Sequence, residues 1–125
     1  MRNLKNFYDN RLVPKPWGYE YTIFRKSNKI AITFLYIKYK HKTSLHCHPK
    51  KKTGFIIVDG IAQVQLGLYE KNRKRYKSIS SLVIRPGLFH SIKSLSKKGV
   101  FALEFETPVD KKDLVRFKDS YGREK

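Results

Sequence analysis

Thr43-Ser44-Leu45-His46-Cys47-His48 and the later stretch Arg85-Pro86-Gly87-Leu88-Phe89-His90 decide how this chain is read. In an extended segment the two-residue period puts His46 and His48 on one face and Cys47 on the other. His90 follows a Pro-Gly turn, so a neighbouring strand can deliver a third imidazole to the same point. Three converging nitrogen donors are a ligand set for a first-row divalent ion.

Working outward, apolar runs recur at short intervals with turn residues between them. They are residues 19–24, 30–39, 43–48, 55–58, 61–66, 80–84, 90–94 and 100–106, rich in Ile, Val, Phe and Tyr. Most are too short for helices, so the pattern predicts an all-β sandwich or barrel. Asp59-Gly60 is a hairpin signal, and Arg85-Pro86-Gly87 marks a turn directly before His90. In the tail, Asp110 follows Pro108 as a helix cap, and Leu114 and Phe117 stand three apart, which predicts a short helix over 110–118. One domain over residues 1–125 is expected: a core over about 15–106, an N-terminal arm over 1–14, and a helix and tail over 107–125.

A chain of 125 residues with 40% hydrophobic content can bury a core. No apolar stretch approaches the roughly 20 residues of a membrane-spanning helix, and residues 1–10 lack the apolar run of a signal peptide. With a single cysteine there is no internal disulfide framework, which fits a reducing compartment; a cytoplasmic protein is expected. The 28 Lys and Arg against 10 Asp and Glu give a net charge of +18, a field that attracts anions. Lys50-Lys51-Lys52 and Lys71-Asn72-Arg73-Lys74-Arg75 look like phosphate-contacting clusters, but they fall between apolar runs as loop residues do. No recognised nucleic-acid module accompanies them, so a phosphorylated small molecule is the expected partner rather than nucleic acid.

Thr43 to His48, then Thr53 and Gly60, resembles the first cupin motif, in which two histidines one residue apart precede a glutamate and then a glycine. Arg85 to His90 resembles the second motif, a Pro-Gly turn leading to a histidine. Lys15-Pro16-Trp17-Gly18-Tyr19-Glu20 is similar to the opening of the cupin domain of bacterial type II mannose-6-phosphate isomerases, and Leu103-Glu104-Phe105-Glu106 to its closing strand. The resemblance implies a small antiparallel β-barrel, the double-stranded β-helix or jelly roll, usually paired as a homodimer. Those enzymes usually carry a nucleotidyltransferase domain ahead of the cupin, and this chain is expected to be a stand-alone relative. It also implies one divalent metal, with Zn, Mn, Fe and Ni not distinguished, held by His46, His48 and His90.

The departure from the pattern is Thr53, which stands where the motif has its glutamate. Three arrangements remain open: a three-histidine metal site; a carboxylate supplied by Glu104 or Glu106 from another strand; or no metal, with the histidines binding or protonating a ligand directly. Glu104 and Glu106 alternate with Leu103 and Phe105 and so share a face, solvent-facing in an ordinary amphipathic strand and inward if that strand lines a barrel. Cys47 is expected to be a small buried hydrophobe, His41 a turn residue, and Trp17 a packing plug rather than a sugar platform.

The expected activity is a metal-dependent isomerase or epimerase acting on a sugar phosphate or nucleotide sugar in surface-polysaccharide metabolism. In it Glu104 moves the carbon-bound proton, while Arg85, Lys52 and Thr53 contact the substrate, with Arg85 or Lys52 gripping its phosphate. The alternatives are a non-catalytic sugar-phosphate-binding module, favoured by the lost glutamate, and oxygen chemistry at a three-histidine iron.

Overall fold

In the computed structural model residues 12–110 and 112–118 are described. The alternating segments pair into two sheets. One has the order β1 (Leu12–Lys15), β2 (Gly18–Lys26), β3 (Ile30–Ile37), β10 (Val100–Thr107), β5 (Lys52–Asp59), β8 (Ser80–Ile84). The other runs β11 (Val115–Lys118), β4 (Leu45–Cys47), β9 (His90–Ser94), β6 (Ile61–Leu66), β7 (Arg73–Lys77). Neighbours within each sheet run antiparallel. Among the described residues there is no helix, and none long and apolar enough to cross a membrane.

The inward faces divide the interior in two. Toward one end Ile37, Ile57, Ala62, Val64 and Val100 pack as an apolar core. Each such side chain contributes about 1.5–3 kcal/mol by leaving water. Toward the other end the inward positions of the six-stranded sheet turn polar: Glu20, Thr22, Thr33, Thr53, Glu104 and Glu106. The apolar end supplies the stability, and the polar end is where a site is built.

Two glycines make the connections possible. A Cβ on Gly18 would lie 1.8 Å from the carbonyl oxygen of Tyr36, so only glycine lets β2 begin against β3 directly after Trp17. Gly87 has φ +82°, and its N–H donates to the carbonyl of His48 at 2.9 Å, fastening the Pro86-Gly87 turn to the end of β4.

The helix expected over 110–118 does not form. Asp110 does accept an N–H, that of Lys112 at 3.0 Å, but only as a turn. Residues 115–118 are instead β11, paired with β4. The Leu114 and Phe117 spacing misleads because the working period is two: Arg116 turns inward while Val115 and Phe117 are exposed. Of the arm expected over 1–14, Leu12–Pro14 belong to edge strand β1, and residues 1–11 lie outside the described residues, as do 111 and 119–125. Arg73-Lys74-Arg75, expected in a loop, lie in edge strand β7, where cations blunt the unpaired edge.

Candidate metal centre

Strands β4 and β9 lie side by side with His46 opposite His90. The register is pinned just upstream: the Thr43 N–H donates to the Ile92 carbonyl at 2.9 Å, and the Ile92 N–H to Thr43 Oγ1 at 3.0 Å. His48 follows His46 on the same face. The ring centroids are 4.6 Å apart for His46 and His90, 5.0 Å for His46 and His48, and 5.4 Å for His48 and His90. One ring nitrogen from each of the three lies within 4.8 Å of those of the other two.

Each Nδ1 is committed to a backbone carbonyl: His46 to Ser44 at 2.8 Å, His48 to Asp113 at 2.8 Å, His90 to Leu88 at 3.0 Å. A carbonyl only accepts, so each Nδ1 carries the proton and each Nε2 keeps a lone pair, the tautomer a metal ligand needs. His48 Nε2 and His90 Nε2 are buried without a hydrogen-bond partner. Neutral, pre-oriented imidazoles with orphaned inward nitrogens fit a borderline divalent ion. His46, His48 and His90 can hold one, with positions left for water or substrate.

Burial is the first cause holding all three imidazoles below their ordinary pKa. For His46, pushed well below, the charges of His90 and His48 add to it, and His90 falls to about 4. Because the folded values are depressed, the unfolded chain takes up protons that the folded chain refuses as pH drops below 6.5. The metal-free protein is therefore expected to lose stability between pH 6.5 and about 4. The shift at His90 alone is worth about 3 kcal/mol. Thermal melts with chelator from pH 7.5 to 4.5 check this, and a flat melting temperature across that window would contradict it.

The centre opens into a cavity of about 130 Å³. The sequence-predicted residues divide here. Glu104 is half-buried and lines the cavity, as does Glu106, which is 5% exposed; the pair faces inward. Thr53 is buried, opposite Glu106 in register, and its Oγ1 has no partner. Lys52 and Arg85 are exposed, and neither lines the cavity. Trp17 is both part of the core and a wall of the cavity. Cys47 points to the other face and is buried, its thiol pushed up by burial and by the Asp113 carboxylate. His41 has Nδ1 3.1 Å from the Tyr39 carbonyl and takes no part.

Several lining residues were not anticipated. Lys51, 4% exposed, donates to Glu106 Oε1 at 2.7 Å. Arg116 lines the cavity with Nε buried and unpartnered, and Lys15 lines it as well. Asp113 orients the site twice over. Its carbonyl accepts from His48, and its carboxylate accepts the N–H groups of Lys50 at 3.0 Å and Lys51 at 2.9 Å. The signal for Lys51 was available, since it lies two residues before inward Thr53.

The sequence model of the family described as mannose-6-phosphate isomerase C-terminal matches residues 2–119. The chain belongs to that family. The xanthan biosynthesis protein XanB of Xanthomonas campestris pv. campestris is 28% identical over 120 residues, 91% of this chain and 24% of XanB. This chain thus spans about a quarter of that relative's length. Among solved structures, the capsular polysaccharide assembling protein CapF from Staphylococcus aureus superposes with TM-score 0.75 at 13% identity, over 86% of this chain and 34% of CapF. The cupin domain of Schizosaccharomyces pombe Cnp3 gives TM-score 0.66 at 16% identity, over 72% of this chain and 60% of that one. Identities this low speak to fold alone, and the fold is that of a small cupin. With the family match, it resembles the C-terminal domain of the type II isomerases.

Proposed function

We propose that this chain is a divalent-metal-dependent cupin that interconverts the aldose and ketose forms of a sugar phosphate in surface-polysaccharide metabolism in the cytoplasm. The observation that carries the reading is a set of unpartnered buried polar atoms around one cavity. They are His48 Nε2, His90 Nε2, Glu106 Oε2 and Arg116 Nε. A buried polar atom without a partner costs about 1–3 kcal/mol, so four at one place are the imprint of something polar that belongs there.

A metal on His46, His48 and His90 would supply Lewis-acid polarisation of the substrate's carbonyl and hydroxyl oxygens. The remaining steps fall to the protein. Glu104, on the cavity wall, takes the proton from the carbon next to the carbonyl and returns it to the adjacent carbon. Arg116, whose Nε is buried without a partner on the cavity wall, holds the phosphate with Lys15 of the same wall beside it, the role expected of Arg85 or Lys52. Trp17 and Phe55 exclude water from the apolar side of the cavity.

The test is to incubate metal-loaded protein with mannose 6-phosphate and follow fructose 6-phosphate. Saturable turnover abolished by chelator is expected. Binding of the sugar phosphate without turnover under any divalent metal would instead assign a non-catalytic binding module.

We further propose a homodimer joined through the outer face of the six-stranded sheet. Tyr19, Phe34, Tyr36 and Phe101 pack there with ring centroids 4.9–6.5 Å apart, and Val83 is 72% exposed.

A further inference from the structure

Thr53 and Glu106 are cross-strand partners on β5 and β10, both facing inward, 1% and 5% exposed. Side chains directly opposite each other in an antiparallel pair have Cβ atoms about 4.5–5.5 Å apart. The carboxylate missing at position 53 thus has a neighbour able to reach the same space. One oxygen of that neighbour is used, since Glu106 Oε1 accepts from Lys51 Nζ at 2.7 Å. The other, Oε2, is buried with no partner.

The pair also bears on the histidines. His48 feels both the negative charge of Glu106 and the positive charge of Lys51, and His90 feels that of Lys51. Three neutral imidazoles and a threonine would leave a buried divalent charge without an anion. A buried ammonium beside a buried carboxylate is, conversely, an arrangement that removal of either partner penalises heavily.

We propose that Glu106 has taken over the role of the absent position-53 carboxylate as the anionic member of the histidine centre, and that Lys51 is the internal cation balancing Glu106 when no metal is bound. The inference rests on the metal-centre reading above. It makes Lys51 a built-in competitor of the metal, so this centre binds divalent ions less tightly than the histidines and Glu106 would without it.

The experiment is calorimetric titration of the full chain with Zn²⁺ and with Mn²⁺, alongside thermal melts with and without metal. The metal-centre reading itself fails if the wild-type chain binds neither ion, and the Glu106 assignment falls with it. If wild type binds, the Lys51→Met, Glu106→Gln double variant is expected to bind at least about 10-fold more weakly. The double variant leaves no lone buried charge, so it separates loss of a ligand from loss of the fold.

Adding Thr53→Glu to the double variant returns a carboxylate to the motif position and is expected to recover affinity to within about 3-fold of wild type or better. Lys51→Met alone is expected to bind more tightly than wild type and to show the larger metal-induced rise in melting temperature. Wild-type affinity in the double variant, no recovery on adding Thr53→Glu, or weaker binding in Lys51→Met would each overturn the proposal.

Discussion

Glu104→Gln is expected to lower kcat for sugar-phosphate isomerisation by about 10²–10⁴-fold, the range set by loss of a positioned general base. Glutamine keeps the shape and a hydrogen-bonding end but cannot take a proton. Glu104 stands one inward step along β10 from Glu106, across from Thr33 on β3 and Phe55 on β5, and the cavity reaches it. The proposed ligands are the three histidines and Glu106, all untouched in this variant, so its metal affinity should match wild type. Substrate binding should be little changed, because the proposed phosphate contacts at Arg116 and Lys15 are untouched. The signature is a fall in kcat at nearly constant KM and constant metal affinity, the opposite of what Glu106 variants should give. Wild-type turnover in Glu104→Gln would remove Glu104 from the mechanism and leave the base to be sought at Glu20, which is buried and also lines the cavity.

The histidine centre was legible because it depends on local periodicity and turn chemistry. His46 and His48 must share a face wherever 45–47 is extended, and Pro86-Gly87 reverses the chain directly before His90. What could not be read was which face is inside. The ordinary rule sends the apolar side of an amphipathic strand to the core, and for β10 that rule inverts. Leu103 and Phe105 face outward and Glu104 and Glu106 inward, because this end of the barrel is a polar cavity and the outer face of the sheet is itself apolar.

Lys52 and Arg85, expected at the substrate, lie outside the cavity, and a related reason hid this. Position relative to a motif does not reveal alternation, and buried Lys51 sits beside exposed Lys52. Strands β7 and β11 were hidden because edge strands need no continuous apolar run. Their pairing comes from β6 and β4, and Arg73, Lys74 and Arg75 read as a solvated loop until the register with β6 is known.

Leu103→Asp is expected to raise the dissociation constant of the homodimer by more than 100-fold, because it places a charge in the middle of an apolar face. On the central strands the outward side chains are Ile32, Phe34 and Tyr36 of β3, Phe101, Leu103 and Phe105 of β10, and Ile56 and Val58 of β5. These are uncharged, in a chain with net charge +18, and the outward cation of these strands, Lys52, stands at the first position of β5. A contiguous apolar face of this kind marks an interaction surface, and a second copy is a matching partner, because two such faces can bury their apolar centres with Lys52 left at the strand end.

The net charge then gives the association a distinctive salt response. Two protomers of +18 repel across the whole complex, so raising ionic strength shortens the reach of that repulsion and should strengthen the dimer. An association driven by ion pairs or by bridging anions would weaken instead. Sedimentation equilibrium of wild type and Leu103→Asp at low and moderate salt reads both effects, with circular dichroism checking that the variant keeps its β-structure. A monomeric wild-type chain at high micromolar concentration and moderate salt would defeat the homodimer. Dissociation of the wild-type dimer by salt would show that charge, rather than this apolar face, holds it together.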